Sequence, residues 1–260
     1  SIEVTGGDGA YVDIDQNEPQ FQFTSYVYNQ FRRSTNGGSN WSSFNFSTSS
    51  GLFINPFDYD DVANKFFSSY GTQMMRWNNP TSLATSTSDT NRIAIPGTTG
   101  SLTAFMVSPN EAKRLYVGTS TGKLFRIENS DVTTGADIAD NTTAIAGPLF
   151  SGYLNCIAVG SDDNNLLAIF SNYGVTNVWQ SSDGGVSWND IDGNLPNMPV
   201  RWAVFDPQSN DKVIIATEAG VYITRDVNGA ATQWLPSPDF PTVRTDMLKV
   251  RPSDNLILAA

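Results

Sequence analysis

One octapeptide, Ser181-Ser182-Asp183-Gly184-Gly185-Val186-Ser187-Trp188, restricts the fold more than any other stretch of this chain. Its paired glycines supply the positive φ angles of a tight turn between two strands. Asp183 is placed to accept backbone amides a few residues on, which fixes the turn from within. Ser181 and Ser187 bring short hydroxyls for the remaining local polar groups. Trp188 then buries a large ring at the start of the next strand. The unit recurs as Ser34-Thr35-Asn36-Gly37-Gly38-Ser39-Asn40-Trp41, with Asn36 in the aspartate position. Asparagine makes the same local bonds without the charge. A stretched third copy runs from Thr224 and Asp226 through Gly229 to Trp234. Recurrence at this level marks a repeat protein.

Short apolar strands fill the intervals between these turns. Val12–Asp15, Phe21–Tyr28, Gln30–Arg33 and Trp41–Phe46 make the first set. Later sets open at Leu52–Pro56, Phe105–Pro109, Asn155–Val159, Arg201–Asp206 and Met247–Arg251. The turn positions Gln16, Pro56, Pro109, Ser161, Pro207 and Pro252 are 40, 53, 52, 46 and 45 residues apart by subtraction. Such spacing predicts an all-β fold, a β-propeller of four-stranded blades. The blades fall at about 1–48, 49–100, 101–150, 151–197 and 198–241, with a partial blade at 242–260, within one propeller region over 1–260. Dense Gly and Pro leave little room for helix, except one short turn over Asp58–Asn64. Ser82–Gly100 and Asp131–Asn141 read as loops. Five units and part of a sixth predict that the residues are an excerpt of a longer chain.

The turns resemble the Asp-box of bacterial sialidase-type (BNR) repeats. Together with Gly6-Gly7-Asp8-Gly9 and Tyr11-Val12-Asp13-Ile14-Asp15, they look like part of the exported Asp-box propellers secreted by Bacteroidetes through the type IX pathway. Sortilin-like and xyloglucanase-like propellers are similar to these. The resemblance implies a secreted or cell-surface setting and a polysaccharide, cell-surface or protein partner. It also implies assembly with other copies or envelope proteins. In that family the Asp-box shapes the blade edge, so Ser34, Asn36, Gly38, Trp41, Ser181, Asp183, Gly185, Trp188, Thr224, Asp226 and Trp234 are expected to be structural.

Composition removes several chemistries. The chain has no histidine, which excludes Ser-His-Asp and Cys-His catalysis and histidine-ligated zinc. A formal net charge of -11 argues against nucleic acid as a partner. No apolar run approaches the roughly 20 residues of a membrane span. Cys156, in an apolar run, is expected to be a small buried hydrophobe.

What remains is carboxylates and aromatics. Xyloglucanase-type enzymes place a catalytic aspartate in a Gly-rich segment, and by that resemblance Asp8 is the one catalytic candidate. A glycosidase needs a second carboxylate, and Asp13, Asp15, Asp58, Asp60, Asp61 and Glu218 are available, though nothing in the sequence pairs one with Asp8. Arg76, Arg126, Arg201 and Arg225 lack the motifs around a sialidase arginine triad. Asp58-Tyr59-Asp60-Asp61 and Asp162-Asp163 bring oxygen ligands together, as Ca²⁺ requires, but without the spacing of a calcium loop. No metal or cofactor is assigned. Trp77, Trp179 and Trp202, with Tyr70 and Tyr173, are candidates for stacking on sugars. Asn40, Asn45 and Asn141 are N-x-S/T sites. The expectation is an extracellular structural, binding or adhesion module without its own catalysis. The alternatives are a xyloglucanase-like glycoside hydrolase and a sortilin-like peptide receptor.

Overall fold

In a computed structural model, the residues described are 11–82, 89–135, 137–145, 152–238, 240–251 and 253–260. They form meander sheets in which neighbours in sequence are neighbours in the sheet. The first holds β1 (Val12–Ile14), β2 (Gln22–Ser25), β3 (Asn29–Ser34) and β4 (Ser42–Ser47). The second holds β5 (Phe57–Asp60), β6 (Lys65–Tyr70), β7 (Gln73–Trp77) and β8 (Thr90–Ala94). The third holds β9 (Leu102–Val107), β10 (Leu115–Thr119), β11 (Leu124–Ile127) and, after the short helix α1 (Asp137–Asn141), β12 (Thr142–Ala144). β13 (Leu154–Val159), β14 (Leu166–Phe170), β15 (Val178–Ser181) and β16 (Asn189–Asp190) make the fourth. β17 (Val200–Asp206), β18 (Ser209–Thr217), β19 (Gly220–Thr224) and β20 (Leu235–Pro236) make the fifth, and β21 (Leu248–Arg251) pairs with β22 (Leu256–Ala259). The all-β, four-stranded expectation holds.

Two compact units are distinguished: Ser1–Val107, Ala112–Val117 and Arg126–Thr143 in one, Ser108–Glu111, Gly118–Phe125 and Ala144–Ala260 in the other. Their cores differ in chemistry. The first is aromatic, with Phe23, Phe31, Phe44, Phe57, Tyr59, Phe66 and Trp77 packed together. Phe57 and Phe66 stack with centroids 4.5 Å apart, and Phe31 meets Phe66 edge-on at 4.8 Å. The second is mostly aliphatic, built on residues such as Leu167, Ile169, Val200, Val213 and Ile215, with Phe205 and Trp234 as buried rings. β14 is buried along its whole length, so its sequence Leu-Leu-Ala-Ile-Phe shows no alternation. Cys156 is buried in this core, as its apolar neighbours predict.

Four local expectations fail, each through hydrogen bonding that composition does not reveal. Leu52–Asn55 is a loop, and the strand begins at Phe57. Pro56 therefore ends a connection rather than marking a turn inside the second sheet. The predicted helical turn over Asp58–Asn64 is strand followed by a tight turn. In that turn Asp60 Oδ1 accepts the N–H groups of Val62 (3.0 Å) and Ala63 (2.7 Å). The loop predicted over Ser82–Gly100 contains β8, which pairs with β7 from Trp77↔Thr90 to Gln73↔Ala94. The loop over Asp131–Asn141 ends in α1. No described helix is long and apolar enough to cross a membrane.

Candidate functional site

The repeated turns are built alike. In the second unit Ser181 Oγ donates to Asp183 Oδ1 (2.8 Å) and accepts the Gly185 N–H (2.8 Å). Asp183 accepts the Ser187 amide (2.9 Å) and hydroxyl (2.6 Å), and the Trp188 indole donates to Gly185 O (3.2 Å). These donors hold the Asp183 carboxyl down at about 2, the Ser187 hydroxyl first among them. In the first unit Ser34 Oγ donates to Asn36 Oδ1 (3.0 Å) and accepts the Gly38 N–H (2.9 Å). Asn36 Oδ1 accepts the Asn40 amide (2.8 Å), and Trp41 donates to Gly38 O (3.0 Å). The third copy keeps only the opening: Thr224 Oγ1 accepts the Asp226 N–H (3.4 Å) but donates to the Asp226 main-chain oxygen (3.2 Å). Trp234 leaves the pattern, is 2 % exposed, and donates to Ile191 O of the preceding sheet (2.8 Å). All these groups are spent on turn and sheet architecture.

Of the stacking candidates, Trp77 is corrected. It is 1 % exposed, set among Phe23, Phe44, Phe46 and Phe66 with the Arg33 guanidinium 5.8 Å from its ring, so neither face is open to a sugar. Trp179 and Trp202 are half-buried, the first donating to Thr176 O and the second packed on the aliphatic core. Tyr173 is exposed and Tyr70 half-buried.

Asp8 lies outside the described residues. The other carboxylates are bound into turns. Asp15 accepts the Tyr59 hydroxyl (2.8 Å) and the amides of Asn17 and Glu18. Asp61 accepts the Gln16 amide, Asp58 the Val107 amide, and Asp163 the Ser108 hydroxyl. Burial pushes the Asp61 carboxyl up, with Asp15, Asp60 and Asp13 adding to it against the Gln16 amide. Glu218 pairs with Arg201. Arg76 is buried and donates to Ser130 O (2.7 Å) and Thr133 O (3.0 Å), tying the second sheet to the third. Arg126 lies beside Glu128 and Arg225 lines a groove of about 710 Å³ with Leu235 and Pro236. Among the described residues no group of three or more His, Cys, Asp or Glu is placed to hold a metal.

A different place in the first unit joins an exposed apolar run to a buried polar support. The loops 26–28, 48–56, 71–72 and 95–101 meet at one end of the first two sheets, where Tyr28 N–H donates to Phe53 O and Leu102 N–H to Gly71 O. There Leu52-Phe53-Ile54 faces outward, with Phe53 51 % and Ile54 44 % exposed. Tyr28 meets the Phe53 ring edge-on at 5.7 Å and takes a φ of 54°, a conformation bulky residues seldom adopt. Beneath this patch lies a fully buried carboxamide clamp. Asn29 Nδ2 donates to Ser50 O and Ser69 O (both 2.9 Å), and its Oδ1 accepts from Asn55 Nδ2 (3.1 Å) and Ser68 Oγ (2.8 Å). Asn55 Oδ1 returns to the loop by accepting the Leu52 N–H (3.0 Å). Gly51, at φ 91°, leaves no room for a Cβ against Asn55, Ser69 and Asn29. A polar network this dry fixes one loop geometry. Sequence reading missed the patch because three apolar residues in a row imitate a strand. The signal against a strand was the Gly51 start and the Asn55-Pro56 end.

No family model matches the sequence, and no curated protein matches it. Solved structures do. A structure of YCF48 bound to a D1 peptide superposes with a TM-score of 0.65 at 13% identity, over 99% of this chain and 76% of that one. The WD40 β-propeller domain of Doa1 gives 0.64 at 12% identity, over 93% and 72%. The fold is a β-propeller. Its blades are the four-stranded sheets, and their first strands lie side by side, β5 with β9 in the first unit and β13, β17 and β21 in succession in the second.

Proposed function

We propose that this propeller is a binding module that docks a protein partner on the clamped loop end of its first unit. The observation that carries the reading is Phe53 and Ile54, exposed side by side over the buried Asn29–Asn55 clamp. An exposed apolar run is unfavourable unless something covers it, and a buried polar network is costly unless a fixed geometry is useful. Together they describe a rigid apolar anchor of the kind that dominates protein interfaces. The solved neighbour that holds a peptide lends support to this choice of partner class. The turns resembling the Asp-box support an exported or cell-surface setting, where such a module would serve adhesion or assembly.

The test is a peptide array probed with the purified chain and with the Phe53→Ser/Ile54→Ser variant. The expected result is a set of peptides captured by the wild type and lost in the variant. Equal capture by both proteins, or none by the wild type, refutes docking here. A glycan panel run in parallel addresses hydrolysis: sugar release that disappears in Asp8→Asn would replace this reading.

A further inference from the structure

We infer that the partner segment seated on this loop end is acidic, with a carboxylate on Arg92 and apolar side chains on Tyr28, Phe53 and Ile54. The inference deepens the docking reading and rests on it. Its basis is where the charges are. The chain has 26 Asp and Glu against 15 Lys and Arg, yet no acid occurs from Pro19 to Phe57, a stretch that carries Arg32 and Arg33. None occurs from Val62 to Ser88, nor from Thr90 to Asn110. The loops 26–28, 48–56, 71–72 and 95–101 are therefore free of carboxylates. Apart from Asp58, which sits inside β5 and accepts the Val107 amide, the described acids of the same sheets lie toward the opposite strand ends: Asp13 and Asp15 where β1 finishes, Glu18 before β2, Asp60 closing β5 with Asp61 next, and Asp89 ahead of β8. Among the described residues of these two sheets, the acids gather toward one end, and none lies in the loops at the other.

Arg92 supplies the cation. It is exposed on β8, and its guanidinium lies over the Tyr70 ring, 4.1 Å from the centroid. No carboxylate of the described residues forms an ion pair with it. A guanidinium carries five N–H donors, so one bond to the Tyr70 hydroxyl leaves others with which it can take a carboxylate in two parallel bonds. Tyr70 joins this cation to the patch: its hydroxyl is hydrogen-bonded to Ser50 and Ser47, at the root of the clamped loop, and to Arg92 itself. The same contacts disfavour a sugar polymer. Arg92 covers a face of Tyr70, and Tyr28 meets Phe53 at 90°, so the pair offers no flat platform.

The experiment is fluorescence anisotropy with three labelled extended peptides sharing a Leu-Phe core, flanked by Asp, by Asn or by Lys. The aspartate peptide is expected to bind about three- to tenfold tighter than the asparagine peptide at low salt, with the gap closing as salt rises. Arg92→Gln is expected to remove that gap, so that the aspartate and asparagine peptides bind the variant alike. Phe53→Ser/Ile54→Ser is expected to abolish binding of all three. If no peptide binds the wild type, the docking reading itself fails. If the three bind alike, if the lysine peptide binds best, or if Arg92→Gln keeps the aspartate preference, the charge inference fails and docking stands.

Discussion

Replacing Asn29 by Ala tests whether the buried carboxamide clamp holds the loop. The substitution removes four hydrogen bonds: two donated to Ser50 O and Ser69 O, two accepted from Asn55 Nδ2 and Ser68 Oγ. Asn55 Nδ2 keeps Ser69 O as a partner at 3.0 Å, so its loss is partial. Ser68 Oγ loses its partner in a dry site, since Asn29, Asn55 and Ser68 are all 0 % exposed, whereas Ser50 is half-buried and its oxygen can be rehydrated. At about 1 kcal/mol net for each of the three bonds wholly lost, and part of that for the Asn55 bond, the loss comes to about 3–4 kcal/mol. For a chain of this length that is a fall in Tm of roughly 6–16 °C. Urea titration followed by tryptophan fluorescence reads it directly, because Trp77 reports on the same sheets. Asn29→Asp provides the sharper comparison. A carboxylate still accepts from Asn55 and Ser68 but cannot donate to the two carbonyl oxygens, and it buries a charge, so it is expected to be at least as damaging as Ala. A loss under about 0.5 kcal/mol for Asn29→Ala, or an Asp variant as stable as wild type, would refute the argument that the clamp orders this loop.

Three further outcomes follow from the same geometry. Gly185→Ala places a methyl inside the Ile145 side chain at a φ of 88°, whereas Gly37→Ala at φ 67° meets nothing within 4 Å. The first is expected to cost about 3 kcal/mol or more and the second about 1 kcal/mol, read from paired urea midpoints; equal losses would refute the packing account. Burial pushes the Asp192 carboxyl up to about 6 despite the Asn177 and Val178 amides it accepts, and Asp190 adds to the shift. A folded-state value above the unfolded one means the native protein binds the proton more tightly, so this group's contribution to stability grows as pH falls from about 6 toward 4. Asp192→Asn is expected to flatten that slope in pH-dependent melting, and an unchanged slope would assign it elsewhere. Asp183, held at about 2, runs the other way: its contribution is present above about pH 4 and is lost as pH falls toward 2. Asp183→Asn is expected to remove that acid-side loss, in keeping with the Asn36 turn that already lacks the charge; an unaltered acid limb would contradict it.

The turns were legible because their chemistry is local. Ser34-Asn36-Gly38-Trp41 and Ser181-Asp183-Gly185-Trp188 close on themselves within eight residues, so the letters alone specify the hydrogen bonds later found. Most strand positions were legible from short apolar runs between turn residues, Leu52–Pro56 being an exception, and the four strands per blade followed from the spacing of those turns. Trp77 was misread because an aromatic on a strand looks the same whether its sheet face is covered or bare; the rings of Phe23, Phe44, Phe46 and Phe66 cover it. The loop end was hidden for a related reason. Asn29 and Asn55 are 26 residues apart, and only the pairing of two sheets brings their carboxamides together. Once they meet, Leu52-Phe53-Ile54 cannot enter a strand and is held outward instead. The sequence by itself determined the repeat, the turn chemistry and the exclusion of histidine-dependent catalysis, all of which depend on residues close in the chain or absent from it. Which apolar residues are core, which are surface, and where a cation stands clear of the acids were decided by tertiary packing, because burial and charge separation are set by contacts between segments far apart in sequence.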